Sequence, residues 1–501
     1  MIDAVVTVPG VTVSDVPARM FGSFVEHMGR CVYTGIFEPG HATANAEGFR
    51  GDVLDLVREL GVSVVRYPGG NFVSGYRWED GIGPVEERPR RLETAWHEIE
   101  PNIVGLHEFV TWAEQAGVEI MEAVNLGTRG VEDAMRLVEY SNHPSGTALS
   151  DARRRNGAEE PFGIRLWCLG NEMDGPWQLG AKSAEEYGAL ARETAKGMRA
   201  VDPSIELVLA GSSGTDMPTY GEWERTVLRH AYAHVDYLSL HLYVQERQDP
   251  SAFLASALRL EQAIRDVSTI IDEVRAEGQH SHQVALAIDE WNVWNQDRFN
   301  DPEHQREVQH GPWLEHPEVI EDVYTLTDAV VVGTFLHTML RNADRVRIAN
   351  LAQLVNVIAP IMTAEGGDAW RQATFWPFAR IASHARGNVL ETHVDAPEIA
   401  GAPAVDAVVT HEDDRGEWCV FLANRALEDS ASVTITLPRA DLAAREAEVL
   451  TSAEGRLAVN THESPGTVAM QELPVASGDG VLEVTLPPVS WAWLRVGVPS
   501  T

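Results

Sequence analysis

Lysine and cysteine are scarce in this chain of 501 residues. The two lysines, Lys182 and Lys196, both fall in a stretch with a helical pattern, and the other 37 of the 39 basic residues are arginine. Schiff-base chemistry, which needs a lysine in a pocket, is therefore not expected. The three cysteines, Cys31, Cys168 and Cys419, are far apart and odd in number, which excludes a disulfide framework and a CxxC metal knuckle.

Long apolar runs are also missing. No run approaches the roughly 18 apolar residues of a membrane-spanning helix. The opening residues MIDAVVTVPGVTVSDV lack the basic and apolar regions of a signal peptide. We therefore expect a cytoplasmic protein with no membrane partner.

The motifs of several enzyme classes are absent. The sequence has no GxSxG elbow of a serine hydrolase, no GxxxxGK[ST] phosphate cradle and no H-E-x-x-H zinc motif. His304, His310 and His316 lie close together but lack a recognisable ligand spacing, so we interpret residues 301–317 as a solvated loop. We predict no metal and no cofactor.

Basic residues are few relative to acidic residues, 39 against 75, which gives a formal net charge of -36. Such a charge repels polyanions, so we expect no nucleic acid partner, and an acidic polysaccharide is equally disfavoured. A neutral or cationic ligand is the easier interpretation. The hydrophobic content of 44% and charged content of 23% are ordinary for a globular protein, which excludes a disordered chain.

Eight short apolar runs, rich in β-branched residues, alternate with amphipathic helical patterns. This pattern predicts the eight strand–helix units of an α/β fold, the (β/α)8 TIM barrel. A doubly wound open sheet is the alternative, but it usually has fewer units and a glycine-rich first turn, which is absent here. The runs are FGSFVEH (21–27), VSVVRYPGG (62–70), EIMEAVNLG (119–127), IRLWCLGNE (164–172), IELVLAGSS (205–213), VDYLSLHLY (235–243), VALAIDEW (284–291) and RVRIANLAQLVNV (345–357).

The pattern changes after residue 385 to alternating β stretches such as WCVFLANR and SVTITLP, separated by proline and glycine. One stretch, RADLAAREAEVL (439–450), has a helical composition. We predict a C-terminal all-β sandwich domain formed by residues 386–501 and joined by the N-terminal strand in residues 1–17. The catalytic barrel then comprises residues 18–385.

Polar side chains follow nearly every predicted barrel strand. The carboxyl ends of barrel strands form one shared mouth, where the chemistry of this fold takes place. Carboxylates, amides, a histidine and aromatic residues at almost all of these ends indicate a polar pocket for an uncharged, hydroxyl-rich ligand, which is a sugar. These residues are Glu26, His27, Arg66, Asn71, Asn125, Asn171, Glu172, Ser212, Ser213, His241, Tyr243, Glu290, Trp291, Asn292, Asn350 and Gln353.

Glu172 and Glu290 follow the fourth and seventh predicted strands, which face each other across an eight-stranded ring. Glycoside hydrolysis needs such a pair, because one acid protonates the leaving oxygen and one carboxylate meets the oxocarbenium-like carbon. A single strand-end glutamate is more often a solvated or ion-paired surface residue. Two of them on opposite strands, beside asparagine and tryptophan, are better explained as a catalytic pair.

Three residues near this pair are candidates for polar contacts. Asn171 is expected to donate a hydrogen bond to a sugar hydroxyl beside the reacting carbon. His241 and Tyr243 share strand parity, so both are expected to point into the mouth and to orient Glu290 by hydrogen bonds. For His241 alone, a core histidine is the alternative.

Three further residues are candidate site residues, one because of its charge and two because of their aromatic rings. Arg66 is expected to form an ion pair with a catalytic carboxylate and to hold it ionised, although a structural salt bridge is nearly as common. Trp96 and Trp294 lie in loops near the mouth, where they can provide aromatic platforms for sugar faces. Loop aromatics are otherwise often local packing.

Seven sequence blocks together resemble the family 51 glycoside hydrolases, the intracellular α-L-arabinofuranosidases. The likeness runs over residues 20–380, and a single block such as DEW would mean little, whereas seven in register are highly specific. The blocks are FGSFVEHMGRCVYTGIFEPGH, VVRYPGGNFVSGYRWEDGIGP, NLGTRG, WCLGNEMDGPWQLG, LSLHLY, DEWNVW and NLAQLVNVIAPIMT.

The resemblance implies release of terminal non-reducing α-L-arabinofuranosyl residues from arabinose-containing oligosaccharides, such as arabinoxylan or arabinan fragments. It implies a retaining mechanism with Glu172 as general acid/base and Glu290 as nucleophile, and a carboxyl separation of about 5–5.5 Å. It also implies a homo-oligomer, with a hexamer suspected. The residues implied for the arabinose subsite are Glu26, Arg66, Asn71, Asn171, Tyr243 and Gln353, with Trp96 and Trp294 at the rim.

Two alternatives stay open. Another retaining barrel glycosidase, such as a β-xylosidase or an endo-glucanase, would carry the same carboxylates on strands four and seven. A non-catalytic sugar-binding barrel is the rival outside the enzyme class, although such a protein need not retain both carboxylates.

Overall fold

The computed structural model describes residues 1–478 and 480–498, and its larger part is a closed barrel of eight parallel strands. All eight predicted runs overlap a barrel strand, and the strands follow one another around the ring in chain order. The predicted TIM barrel is therefore confirmed. Barrel strands one to eight are Arg19–Phe24, Val64–Tyr67, Glu119–Val124, Leu166–Leu169, Glu206–Leu209, Tyr237–Val244, Ala285–Val293 and Val346–Ala352.

Amphipathic helices surround the barrel. Helix Gly51–Leu60 buries its apolar residues and ends at Gly61, whose φ of 79° lets its N–H bond back to the last turn. Helix Ala184–Val201 begins with a capping box between Ser183 and Glu186. The other α-helices are Leu106–Ala116, Val131–Asn142, Ala148–Arg155, Glu222–Ala231, Pro250–Leu254, Ala257–Gly278, Gln296–Phe299, Pro302–His310, Leu326–Arg341 and Phe375–His384.

Across the residues described, no helix combines the length and the apolar character needed to cross a bilayer. The segment predicted as a solvated loop, residues 301–317, contains helix Pro302–His310. Asp301 caps this helix by accepting hydrogen bonds from the N–H groups of Glu303 and His304, and none of the helix residues is buried. The segment is solvated as predicted, but its first half is helical because this cap and Pro302 start a turn.

The C-terminal region forms two packed sheets, and the N-terminal segment joins both of them. All strand pairs in these sheets are antiparallel except that of Ile2–Thr7 with Ala431–Thr436, which is parallel. Strand Ile2–Thr7 lies inside the five-stranded sheet and Thr12–Asp15 lies at the edge of the seven-stranded sheet. The first sheet contains His393–Asp395, Ile2–Thr7, Ala431–Thr436, Val481–Leu486 and Val475–Gly478 in spatial order. The second contains Thr12–Asp15, Asn388–Leu390, Val405–Glu412, Glu417–Asn424, Ser490–Gly497, Ala443–Thr451 and Ala469–Glu472.

The stretch with helical composition, residues 439–450, is a strand rather than a helix. Strand Ala443–Thr451 pairs on both sides with neighbours in the seven-stranded sheet. Glu448 accepts hydrogen bonds from Arg380 at 2.7 Å and from Trp493 at 2.8 Å, which hold the strand in register. Tertiary pairing has overridden the intrinsic helix propensity of alanine, arginine and glutamate.

Helix Leu326–Arg341 lies between the barrel and the sandwich and is buried on nearly all of its faces. Its His337 donates through Nδ1 to Asp406 of the sandwich at 2.9 Å, and its Nε2 accepts from Trp491 at 3.1 Å. Asp406 also forms ion pairs with Arg341 and Arg425. This buried polar network joins the barrel to the β-sandwich. The exact limits 18–385 and 386–501 stay a prediction.

Candidate active site

The loops at the carboxyl ends of the barrel strands enclose a cavity of about 390 Å³. Eight of the eleven predicted site residues line this cavity: Glu26, Asn71, Trp96, Glu172, Tyr243, Glu290, Trp294 and Gln353. The other three, Arg66, Asn171 and His241, are buried beside the two carboxylates. The barrel thus brings all eleven residues together.

Glu172 and Glu290 approach each other across the mouth. Glu172 follows strand four with φ of 44°, a left-handed conformation that is uncommon for a glutamate, whereas Glu290 lies within strand seven. One oxygen of each carboxylate lies within 4.8 Å of the other. This spacing resembles the about 5–5.5 Å of retaining glycosidases and is shorter than the about 6.5–9.5 Å of inverting ones.

Glu290 is held by a cation and a hydroxyl. Its Oε1 forms an ion pair with Arg66 Nη1 at 2.6 Å, and its Oε2 accepts a hydrogen bond from the Tyr243 hydroxyl at 3.0 Å. Burial raises the pKa of Tyr243 well above its usual value, and the charge of Glu290 adds to this, so the tyrosine keeps its proton. Both contacts fix the position of this carboxylate.

Glu172 has a different environment. Burial raises its pKa, and the nearby charge of Glu290 acts in the same direction, whereas hydrogen bonds from His241 and Trp177 oppose the shift. Trp177 Nε1 donates to Oε2 at 2.9 Å. Burial and a neighbouring carboxylate thus favour the protonated form of Glu172, the form that a general acid needs.

The expected partner of His241 was wrong. We predicted a hydrogen bond to Glu290, but His241 Nδ1 lies 2.9 Å from Glu172 Oε1 and 3.6 Å from Glu290 Oε2. Burial by itself would lower the pKa of His241, but the surrounding carboxylates outweigh it and raise that pKa well above its usual value. A cationic His241 therefore contacts Glu172 rather than Glu290.

Asp289 is a buried carboxylate that sequence reasoning missed. It lies 3.4 Å from His241 Nε2 and 3.5 Å from Arg66 Nε, and it accepts a hydrogen bond from Ser239. Burial opposes its ionisation, but the charge of Arg66 holds its pKa below the usual value. Strict alternation would direct Asp289 and Glu290 to opposite faces, yet strand pairing is irregular here, so both face the barrel interior.

Glu26 forms the opposite wall of the cavity. Its carboxyl group accepts hydrogen bonds from the Phe72 N–H at 2.9 Å, from Trp96 Nε1 at 3.0 Å and from Gln353 Nε2 at 3.3 Å. Burial raises the pKa of Glu26 to about 8. A carboxyl group that retains its proton near neutral pH can both donate to and accept from sugar hydroxyls.

Asn171 has one amide atom available. Its Oδ1 accepts a hydrogen bond from Arg66 Nη2 at 2.7 Å, which fixes the amide orientation. Its buried Nδ2 has no hydrogen-bond partner among residues 1–478 and 480–498. A buried donor without a partner is costly, so this atom is suited to a ligand oxygen.

Aromatic side chains form the rim. Trp96 is carried by a hairpin, Arg91–Glu93 with Glu98–Glu100, and its N–H donates to the buried Glu93 at 2.6 Å. Phe299 packs against both Trp96 and Trp294. Sequence reasoning did not single out Phe299 or Trp177. Trp177 lies in the WCLGNEMDGPWQLG block, five residues after Glu172, which was the available signal.

Glu172, His241 and Glu290 also have donor atoms close enough to hold a metal ion, and they form the one such group in the part of the chain that is described. Arg66 and a cationic His241 already neutralise these carboxylates. Because a bound cation would meet two positive charges, the arrangement suits general acid/base and nucleophilic chemistry better than metal binding.

A closed barrel with paired carboxylates on strands four and seven, beside a polar cavity of sugar size, defines a glycoside hydrolase. The family model described as α-L-arabinofuranosidase 1 domain matches residues 56–260, and the α-L-arabinofuranosidase C-terminal domain matches residues 289–490. The chain belongs to the family 51 α-L-arabinofuranosidases.

Individual relatives agree with this membership. An exo-α-(1→6)-L-arabinofuranosidase of Bifidobacterium longum is 50% identical, with 97% of this chain and 95% of the relative covered. An intracellular exo-α-(1→5)-L-arabinofuranosidase of Streptomyces lividans is also 50% identical, covering 98% of this chain and 75% of the relative. The structure of a family 51 α-L-arabinofuranosidase from Bifidobacterium longum superposes with a TM-score of 0.95 at 45% identity, covering 99% of this chain and all of that one.

Proposed function

We propose that this α-L-arabinofuranosidase releases terminal arabinofuranosyl residues from arabino-oligosaccharides by double displacement. In the first step, Glu172 donates its proton to the departing glycosidic oxygen while Glu290 attacks the anomeric carbon. A covalent arabinosyl ester on Glu290 results, and the leaving sugar departs with the proton from Glu172. Two inversions at the same carbon give net retention.

In the second step, the ionised Glu172 removes a proton from water. The resulting hydroxide equivalent attacks the anomeric carbon, and the bond to Glu290 breaks with its electron pair returning to the carboxylate. His241 supports this step, because a cation 2.9 Å from Glu172 stabilises the carboxylate form that a general base needs. The observation that carries the proposal is the opposed environment of two carboxylates within 4.8 Å.

The cavity suits one terminal, uncharged sugar. Donors and acceptors converge on it from Glu26, Asn71 and Gln353. Asn171 directly precedes Glu172, and we assign its unpartnered Nδ2 to a sugar hydroxyl adjacent to the reacting carbon. Such a contact strengthens as the oxocarbenium-like transition state forms. Arg66 is occupied by Glu290 and Asp289, so it offers little to an acidic sugar.

Azide rescue tests the assignment of the nucleophile. Glu290→Ala is expected to lose at least about 10³-fold in kcat, and added azide should restore turnover as the azide adduct of inverted configuration. Glu172→Ala should instead yield the azide adduct of retained configuration, because the arabinosyl ester on Glu290 still forms in this variant and azide then displaces it. Glu290→Ala that turns over normally, or that azide leaves inactive while the protein is folded, would move the nucleophile elsewhere.

Substrate comparison tests the sugar. The wild-type enzyme is expected to hydrolyse an aryl α-L-arabinofuranoside and to release the α-anomer first, as followed by proton NMR. An aryl β-xyloside should be a much poorer substrate. Preference for the xyloside would favour the alternative of a β-xylosidase, and binding of arabinose without any turnover would favour a sugar-binding protein.

We further propose a cytoplasmic location and a homo-oligomeric, hexameric assembly. The location is supported by close relatives that are named intracellular. The assembly is an expectation from the family resemblance, and light scattering coupled to size exclusion tests it directly. A mass of 55.1 kDa in solution, that of one chain, would contradict it.

A further inference from the structure

A second cavity, of about 580 Å³, adjoins the active-site cavity. Tyr243 and Gln296 line both cavities, so the two meet at these residues. Both volumes fall within the about 300–1,000 Å³ that is usual for small-molecule sites. The other walls of the second cavity come from the loops that follow barrel strands five, six and seven.

The proposed role of Glu172 directs the leaving group of the substrate toward the second cavity. A general acid must contact the departing oxygen, so the remainder of a substrate leaves the active-site cavity past Glu172, at the end of strand four. Ser213, after strand five, lines the active-site cavity, and Asp216, three residues later, lines the second cavity. A chain that leaves past Glu172 is therefore directed along this wall.

Two polar side chains in the second cavity have atoms without partners. Ser256 is 7% exposed, and its Oγ makes no hydrogen bond within the described parts of the chain. Gln245 accepts a hydrogen bond from the Asp297 N–H at 3.1 Å, which fixes its amide, while its buried Nε2 makes none there. Such atoms cost free energy unless a ligand or water satisfies them.

The charges of the second cavity favour a neutral ligand. The two arginines that line it, Arg247 and Arg259, are paired with Asp297 at 3.4 Å and with Asp216 at 3.0 Å. A uronic acid or phosphate would have to compete for these arginines. Hydroxyl groups, in contrast, can use the free amide and hydroxyl without disturbing any ion pair.

We propose that the second cavity binds the sugar units beyond the leaving sugar in an uncharged pentose oligosaccharide. Gln245 Nε2 donates to a sugar hydroxyl, and Ser256 Oγ exchanges a hydrogen bond with another. Binding energy gained there is used to hold the scissile bond between Glu172 and Glu290, so longer substrates react faster. The inference rests on the proposed function, because the role of Glu172 defines the leaving-group side.

Chain-length kinetics test this inference. We expect kcat/KM of the wild-type enzyme to rise from arabinobiose to arabinotriose and arabinotetraose in the linear α-1,5-linked series. Gln245→Leu and Ser256→Ala should each lower the ratio of kcat/KM on arabinotetraose to that on an aryl α-L-arabinofuranoside by about 3- to 10-fold, the effect of one hydrogen bond. The same measurement is made with arabinosyl-substituted xylo-oligosaccharides of increasing length. If kcat/KM rises with length only in this second series, the chain bound in the second cavity is a xylo-oligosaccharide.

Ser268→Ala is the matched control. Ser268 lies on helix Ala257–Gly278, which begins directly after Ser256, and it is buried to a similar degree. Its hydroxyl also lacks a hydrogen-bond partner among the described residues, but Ser268 does not line the second cavity. It should leave the ratio unchanged, and melting temperatures verify that all variants fold. Equal kcat/KM for every chain length in both series, or equal losses on the aryl glycoside and the tetraose, would overturn the inference. Absence of activity on every arabinofuranoside would instead overturn the proposed function.

Discussion

Removal of the charge of His241 should shift the pH dependence of the enzyme in a defined direction. His241 Nδ1 lies 2.9 Å from Glu172 Oε1, and its positive charge lowers the pKa of a carboxyl group that burial raises. In His241→Asn the amide Nδ2 can occupy the position of the ring Nδ1, so the hydrogen bond is retained and the charge is lost. In His241→Ala both are lost.

The expected shift follows from the strength of the contact. A hydrogen bond to a charged group contributes about 1.5–3 kcal/mol, and one pKa unit corresponds to about 1.36 kcal/mol, so His241→Ala should raise the pKa of Glu172 by about 1–2 units. A charge-assisted hydrogen bond is roughly twice as strong as a neutral one, so His241→Asn should produce about half of that shift. Formation of the arabinosyl ester requires protonated Glu172. The decrease of kcat/KM at high pH, the basic limb of its pH profile, should therefore move to higher pH.

The assay is kcat/KM from pH 4 to 10 on methyl α-L-arabinofuranoside, whose poor leaving group depends on the acid. An activated aryl glycoside serves as the control, because its departure needs little protonation. A basic limb that stays in place or moves to lower pH in both variants would refute a cationic partner for Glu172.

Two further substitutions have defined outcomes. Tyr243→Phe removes the hydroxyl that donates to Glu290 at 3.0 Å, so kcat/KM on aryl arabinofuranosides should fall by about 10- to 150-fold without a change in melting temperature, and a smaller loss would contradict the orienting role. Asp406→Asn breaks the buried network around His337 and should reduce the free energy of unfolding by about 3–5 kcal/mol in urea denaturation. Asp413 is exposed, so Asp413→Asn should reduce the free energy of unfolding by less than about 1 kcal/mol. Equal losses for Asp406→Asn and Asp413→Asn would refute the importance of burial.

The barrel and the principal carboxylates could be predicted because their signals are local. Short β-branched runs separated by amphipathic patterns specify strands and helices without knowledge of their partners. Once strands four and seven are identified, the geometry of an eight-stranded ring brings Glu172 and Glu290 together. The same reasoning applied to Tyr243, whose strand parity directed it correctly to Glu290.

The errors arise where the outcome depends on partners distant in sequence. Residues 439–450 have helical composition, but strand pairing on both sides makes Ala443–Thr451 a strand. Strand parity directed His241 into the mouth but not to its partner Glu172, and Asp289 was missed because the pairing of strands six and seven is irregular. Trp177 lies on a loop, and no periodic pattern predicts where a loop side chain points.

The pairing of the first strand has a consequence for synthesis. Ile2 pairs with Ala431, so 429 residues must be added before strand Ile2–Thr7 can meet that neighbour. At about 5–20 residues per second, this strand waits on the order of 20–90 s on the ribosome. Ala4 and Val6, which the finished sandwich buries, remain accessible throughout that time. A strand that is synthesised before the whole barrel is thus among the last elements of the chain to complete its pairing.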